Sequence, residues 1–350
     1  MNFPWVNVLL LVLLVLQTVT GYFGFTNGRE PAAWLLVLHG IGAWALVVLF
    51  FLKASIIVAS WRRRKRWTVQ RTGFVVSLVL LILTLVLGLL WTFDGPLYLA
   101  GFSLVSLHIY AAVPLMILML WHAWQMRFIR RVDGALGRRL FLGSAVTAVT
   151  GLVLWLSVGR AKAWAGLAGA TRRFTGSYEV GSFTPSYPVV SWIADRPPAV
   201  DVATWRLRIE GAVARPLSLS YAELSGLAQQ DVTAALDCTG GWYTNQRWRG
   251  VAVGDLLAQA GPLPAAASVT VEAVSGYKRR FPLEEAHACL LALGTREGAA
   301  GGPYRPLDHG HGHPVRWVAP ERRGMEWVKW VAVIRVNETG AWAQSPLPLQ

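Results

Sequence analysis

Long apolar runs fill the first half of the chain, and alternating or mixed patterns fill the second. Pro4–Thr20, Pro31–Ser60, Gly73–Trp91, Phe102–Met126 and Phe141–Val158 each reach or approach the roughly 20 residues that a helix needs to cross a hydrocarbon core of about 30 Å. They predict five transmembrane helices. After Val158 the pattern changes. Residues 160–199 are rich in Gly, Ser, Pro and Arg with poor periodicity, and read as a linker that wraps over the next domain. Trp205–Ile209 alternates as a half-buried strand does, and Ser220-Tyr221-Ala222-Glu223 has the spacing of a capping box opening a short helix. Gly254–Gly261, stopped by Pro262, predicts a second helix. Ser268–Val274 predicts a strand, Leu283–Leu293 a third helix carrying Cys289, and Val315–Ala319 and Trp327–Val336 the last strands.

The expected fold is therefore multi-domain, an all-α transmembrane bundle of five spans followed by an α+β domain. The boundaries fall at 1–136 for a four-helix membrane part, 137–159 for the fifth span, 160–199 for the linker, 200–338 for the α+β domain and 339–350 for a tail.

Composition agrees with the division. With 54% hydrophobic and 15% charged residues and a mean hydropathy of +0.42, the average is too apolar for one soluble domain. The net charge of +14 is not read as a nucleic-acid footprint. Arg62, Arg63, Arg64, Lys65 and Arg66, and then Arg127, Arg130, Arg131, Arg138 and Arg139, flank spans and mark the second and fourth junctions as cytoplasmic, where they also contact anionic lipid. Residues 21–30 and 94–101 carry little positive charge and face outward. The amino terminus is then inside a cytoplasmic membrane, and everything after Val158 is extracytoplasmic. Met1-Asn2-Phe3 lacks the basic head of a cleaved signal, so the first run is expected to stay as a helix. Gly137-Arg138-Arg139-Leu140-Phe141-Leu142 resembles a twin-arginine export signal placed internally; the arginine pair is either that or a topology anchor.

Ionisable groups within a bilayer are costly and mark function. His39, about a third of the way into the second span, and His108, near the start of the fourth, fall at similar depth. Two opposed imidazoles there are what one b-type haem needs as axial ligands, with hydrogen bonding between helices as the plainer alternative. Fourteen residues further on, about 21 Å along a helix, stand Lys53 and His122. This lower pair resembles the second haem site of a four-helix dihaem cytochrome b with one histidine replaced by lysine. It either handles a quinone or a proton, or only reaches for the inner interface.

Two cysteines, Cys238 and Cys289, are too few for a zinc or iron–sulfur cluster within one chain. Cys289 lies on an apolar helical face and reads as core. His309, His311 and His313 alternate, and on an extended strand would share one side as a metal site needs. Without an acidic or cysteine partner the preferred reading is a hydrogen bond from one histidine to a bound group.

Three segments carry a family resemblance. Leu207–Val213 with Pro216 comes first, then Asp237-Cys238-Thr239-Gly240-Gly241-Trp242, then Gln246-Arg247-Trp248-Arg249-Gly250-Val251 leading to Asp255-Leu256-Leu257. With the closing His313-Pro314-Val315-Arg316-Trp317-Val318-Ala319-Pro320, Arg323-Gly324 and Trp327-Val328-Lys329-Trp330, these resemble, in order, the molybdopterin-binding domain of the sulfite oxidase superfamily over about residues 200–338. The resemblance implies a molybdenum–molybdopterin cofactor whose metal is held by two dithiolene sulfurs and the thiolate of Cys238. Thr239, Gly240, His311 and Gly324 would help to hold the cofactor, and Arg316, Arg322, Arg323 and Lys329 would supply cations for its phosphate. Tyr243 and Arg247 would serve catalysis beside Cys238. The chain ends soon after the last strand, without the superfamily's immunoglobulin-like dimerisation domain, a layout nearer to the periplasmic methionine sulfoxide reductase catalytic subunits. The implied activity is oxygen-atom transfer to or from a small extracytoplasmic substrate, with S-oxide or N-oxide reduction favoured, and with electrons passing through the outer-tier haem to or from quinone or another membrane carrier. The alternatives are a haem-free anchored molybdoenzyme of the sulfite oxidase kind, or a membrane cytochrome whose outer domain is a cofactor-free binding module.

Overall fold

The structure, a computed structural model, describes residues 4–62, 67–125, 134–192, 195, 197–227, 229–342 and 344–345. It divides into two compact units between Tyr178 and Glu179. The basic residues at 63–66, Arg127, Arg130 and Arg131 lie outside the described residues.

The first unit is built on α1 (Pro4–Thr26), α2 (Trp34–Arg62), α3 (Val69–Phe93), α4 (Leu104–Gln125) and α5 (Gly134–Trp164). Each contains a stretch long and apolar enough to cross a membrane. α1 packs on α2, α3 on α4, and α5 against both α1 and α2. A short hairpin, β1 (Tyr98–Leu99) and β2 (Phe102–Ser103), precedes α4. Val79, Ile117, Phe141 and Val146 are each more than half exposed, an outward apolar face that lipid would cover. Polar side chains within the helices are satisfied locally: Thr18, Thr20, Thr84 and Thr92 each donate to a carbonyl one turn back, as hydroxyls do where water is absent. Arg138 and Arg139 lie exposed near the start of α5.

Strand β3 (Tyr178–Glu179) falls at the division. The second unit then runs β4 (Arg206–Gly211), β5 (Leu217–Ser220), α6 (Tyr221–Gly226), β6 (Gln230–Asp237), β7 (Trp242–Ala252), α7 (Val253–Ala260), β8 (Ser268–Ala273), β9 (Lys278–Pro282), α8 (Leu283–His287), β10 (Leu290–Arg296), β11 (Tyr304–Pro306), β12 (Arg316–Val318) and β13 (Val331–Asn337). One sheet has the order β5-β4-β13-β8-β9, with β4 and β13 parallel and the other pairs antiparallel. In the other, β10 pairs with β7, β11 and β12, and β7 also pairs with β6. Leu207, Ile209, Trp248, Phe281, Trp317 and Ile334 are fully buried in the core cluster of this unit.

The local sequence explains most of these elements. Ser220 caps α6 as expected, its side chain accepting from the Glu223 amide while Glu223 reaches back to the Ser220 amide. Gly261 ends α7 in the left-handed region at φ 66°. The predicted helix over Leu283–Leu293 is a correction. α8 stops at His287, Cys289 sits in the turn, and Leu290–Leu293 begins β10. That strand is buried on both faces throughout Leu290–Thr295, and such a continuous apolar run reads the same in a buried strand as in a buried helix. The last strand begins only at Val331; Trp327–Trp330 is loop, with Trp330 at φ 52°.

If this core assignment is right, Ile334→Ala lowers the unfolding free energy of the second unit by about 3 kcal/mol, whereas Arg208→Ala at the surface changes it by under about 0.5 kcal/mol. Denaturant midpoints at unchanged slope check both.

Candidate functional site

The hairpin of β6 and β7 fixes the position of Cys238. Its register runs from Gln230 opposite Gly250 to Asp237 opposite Tyr243, which leaves Cys238–Gly241 as the connecting turn. The Cys238 amide donates to the Trp242 carbonyl at 2.8 Å and the Gly241 amide to the Cys238 carbonyl at 3.1 Å. Gly241 adopts φ 90°, a conformation that a side chain resists, so the turn requires glycine there. The Gly240 amide points at the Cys238 Sγ, 3.3 Å away.

Cys238 opens on a cleft with about 650 Å³ of empty space. Thr239, Asp195, His311, Arg316 and Lys329 supply polar groups to its walls, and Trp192, Trp242, Tyr277 and Trp327 supply flat apolar surface. Gly324 lines it as well. Burial pushes the Cys238 thiol above its ordinary value, partly opposed by the Gly240 amide and by Arg323. In the folded protein the sulfur is therefore a protonated thiol until a cation takes the proton's place.

The four cations expected at a phosphate separate into two kinds. Arg323 is spoken for: it donates to an Asp237 carboxylate oxygen at 2.6 Å and to the Cys238 carbonyl at 3.2 Å. Arg322 forks onto Glu285 at 2.5 and 2.6 Å and also reaches Glu326, and it does not line the cleft. Arg316 and Lys329 do line it, and neither has an ion pair among the described residues. Arg316 donates to the His311 carbonyl at 3.0 Å, while its Nε has no hydrogen-bond partner. Lys329 donates to the Gly310 carbonyl at 2.6 Å and to Ser191 at 3.3 Å. Burial, with Arg316 nearby, brings the lysine down to about 7. Two buried cations in one cleft, neither in an ion pair among the described residues, suit an anion.

The histidines diverge rather than share a side, because residues 309–313 form turns and not an extended strand. His309 contacts the Pro197 carbonyl and packs on Trp330. His311 faces the cleft, held by Asp308 at 2.8 Å through Nδ1 and by the Tyr187 carbonyl at 3.1 Å through Nε2. His313 packs against Tyr221. No group of three or more metal-ligating side chains occurs among the described residues. Tyr243 and Arg247 sit on the half-buried side of β7, opposite in parity to the buried Trp242 and Trp248, and neither lines the cleft. Gly240 does not line it either. Cys289 is core, with burial pushing its thiol up to about 12.

The segment read as a linker supplies what sequence reasoning missed. Pro188, Val190, Ser191, Trp192 and Asp195 form part of the cleft wall. The signal available was its density of Pro and aromatic residues, which is unusual for a free tether.

In the helical unit, the His39 and His108 rings face each other with centroids 6.2 Å apart at 78°. His39 Nδ1 lies 3.1 Å from the Gln17 carbonyl and 3.3 Å from Thr20 Oγ1, and His108 Nδ1 lies 2.8 Å from the Thr84 carbonyl. A carbonyl only accepts, so each Nδ1 carries the proton, and Nε2 of each neutral ring keeps its lone pair. A Cβ on Gly21 or Gly88 would come within 3.0 and 3.1 Å of the respective rings; these glycines admit the imidazoles. Lys53 and His122 line a separate apolar cavity of about 980 Å³ together with Asn7, Ser77 and Phe74.

Comparison with known proteins agrees with the second unit. Residues 194–343 match the family model described as "Oxidoreductase molybdopterin binding domain". An uncharacterized oxidoreductase, YuiH, of Bacillus subtilis is 28% identical over 168 residues, which cover 46% of this chain and 81% of that protein. The protein-methionine-sulfoxide reductase catalytic subunit MsrP of Xanthomonas axonopodis pv. citri is 28% identical over 153 residues, 39% of this chain and 46% of that one. The sulfite oxidase of Gallus gallus is 30% identical over 184 residues, 42% of this chain and 39% of that one. The matches thus span less than half the length of the latter two.

The lowered Lys329 sets a pH signature. Between about pH 7 and 8.5 the folded lysine gives up its proton while the unfolded one, near 10.5, keeps it, so the unfolded state binds more protons and stability rises with pH by at most about 1.4 kcal/mol per unit. Lys329→Met in cofactor-free protein is expected to lose that slope, measured as unfolding midpoints across this window and compared with wild type. Given the cleft and these matches, residues 194–343 are similar to oxidoreductase molybdopterin-binding domains, among them that of a sulfite oxidase, and the protein that carries them is an oxidoreductase.

Proposed function

We propose that the protein is a membrane-bound molybdenum oxidoreductase that transfers an oxygen atom to or from a small extracytoplasmic substrate, with reduction of an S-oxide or N-oxide as the favoured direction. The observation that carries this reading is the Cys238 thiol opening on a cleft with two buried cations that form no ion pair among the described residues, inside a domain matching the family model. The residues fit the cofactor. A soft sulfur donor suits molybdenum, Arg316 and Lys329 suit a phosphate, and the unpartnered Arg316 Nε is a donor that an anion would satisfy. When bound, the cofactor supplies two-electron oxygen-atom exchange.

The chain's own groups then bind and orient. Cys238 would hold the metal as its thiolate. Arg316, stacked over Trp248 and Trp327 with its charge 5.6 and 5.8 Å from the ring centres, is held rigidly enough to position an anion. Lys329, lowered to about 7, can give or take a proton near neutrality. Reduction of an S-oxide or N-oxide consumes two electrons and two protons and releases water; oxidation of a quinol releases the same number of each.

The helical unit supports electron transfer to or from quinone. The His39 and His108 rings lie with their centroids 6.2 Å apart, each with Nδ1 against a carbonyl. These histidines would hold one b-type haem, a one-electron carrier. The apolar cavity beside Lys53 and His122 has the character of a quinone headgroup site, mostly hydrophobic with a few polar groups. The five apolar helices would place these groups within the cytoplasmic membrane, with the second unit outside it.

Cys238→Ser is expected to lose bound molybdenum and turnover together, as metal analysis and a substrate-dependent assay on reduced membranes would show. Molybdenum and turnover at wild-type levels would contradict the assignment. In dithionite-reduced spectra His39→Ala loses the haem bands and His122→Ala keeps them; the opposite pattern would place the iron elsewhere.

A further inference from the structure

Asp195 belongs to no motif and to no element of regular structure, yet it lines the cleft and is only 6% exposed. Its Oδ1 is buried without a hydrogen-bond partner, and it forms no ion pair among the described residues although Arg316 and Lys329 share the cleft. A buried carboxylate oxygen left without donors is costly. The segment bearing it is nevertheless held firmly. His311 grips the Tyr187 carbonyl, Lys329 the Ser191 hydroxyl and His309 the Pro197 carbonyl, at 3.1, 3.3 and 3.1 Å, and the Asp195 amide donates to the Trp192 carbonyl at 3.0 Å. These ties fix Tyr187, Ser191 and Pro197, and with the Asp195 amide bond they keep the carboxylate in place.

We propose that Asp195 receives the amino-pyrimidinone edge of the pterin. That edge presents a ring N–H beside an exocyclic amino group, two parallel donors of the kind a carboxylate accepts in bidentate fashion. The ring is flat, and Trp192, Trp242 and Tyr277 line the same cleft, where aromatic faces suit a planar heterocycle. Three chemistries on the walls then answer three parts of one ligand. The Cys238 sulfur answers the metal, Arg316 and Lys329 the phosphate, and Asp195 the donor edge of the ring. The inference rests on the molybdenum–pterin reading and adds a residue to it.

The test uses the full-length chain in detergent, made both in a host that synthesises the cofactor and in one that does not. Asp195→Asn keeps the shape but turns one acceptor into a donor facing the pterin amino group; Asp195→Ala removes both acceptors. The expected result is that both variants hold pterin about tenfold or more weakly than wild type, read as fluorescence of the pterin released by acid oxidation after dialysis. Cofactor-free Asp195→Asn should melt at the same temperature as cofactor-free wild type or higher, since an unpaired buried charge has been removed. Wild-type pterin retention in both variants would overturn the proposal, and if turnover alone fell the residue would be a proton-transfer group instead. A cofactor-free Asp195→Asn that melts lower would make Asp195 a structural residue and would also overturn it. Absence of pterin from wild type made in the competent host would sink the parent reading, an outcome distinct from both.

Discussion

The buried ion pair of Asp237 with Arg323 holds the site together. Both side chains are about 2% exposed and 2.6 Å apart, and a short parallel bridge joins the same two residues through their backbones. The pair ties the end of β6 to the loop before Trp327, so the Cys238 turn and the Gly324–Met325 wall of the cleft cannot move apart independently. Losing one partner of such a pair leaves a naked charge in the core, at a cost of about 3–5 kcal/mol. Arg323 also donates to the Cys238 carbonyl, which couples the ion pair directly to the residue that carries the sulfur. Its role is to shape the cleft rather than to meet a ligand within it.

That use of Arg323 explains how the domain separates its positive charges. Arg322 is taken up by Glu285 and Glu326, and Arg279 shares Glu326. These carboxylates absorb the cations that stiffen the fold. Among the described residues, the hydrogen bonds of Arg316 and Lys329 go to carbonyl and hydroxyl oxygens and neither forms an ion pair. A cleft arranged in this way is costly to the folded chain alone and is repaid when an anion enters. Asp195, equally buried and equally unpaired, extends the same logic to the opposite charge.

Much of this was legible in the residues, and the rest was hidden for definite reasons. The five apolar runs, the capped α6, the stop at Gly261 and the Gly-Gly turn after Cys238 are local signals, written within a few positions of where they act. The β10 strand was misread as helix because a strand buried on both faces has no alternation to display. Arg316 and Arg322 could not be told apart in sequence, since what distinguishes them is Glu285, a partner 37 residues away from Arg322. The placement of Tyr243 and Arg247 was recoverable: Trp242 and Trp248 share one parity on β7, and the other two fall on the opposite one. The linker was expected to wrap over the domain, but the groups that Tyr187, Ser191 and Pro197 meet were not legible because irregular segments have no period. Their hold on His309, His311 and Lys329 exists only in three dimensions.

In the helical unit the pairing of His39 and His108 came from depth alone, and the structure adds that the two rings face each other with Nδ1 of each committed to a carbonyl. The claim on which the functional account stands is nonetheless the sulfur in the second unit. X-ray absorption at the molybdenum edge of the purified protein tests it most directly, by counting sulfur neighbours. Three short molybdenum–sulfur contacts, two from the cofactor and one from Cys238, is the predicted result; only two would contradict the account.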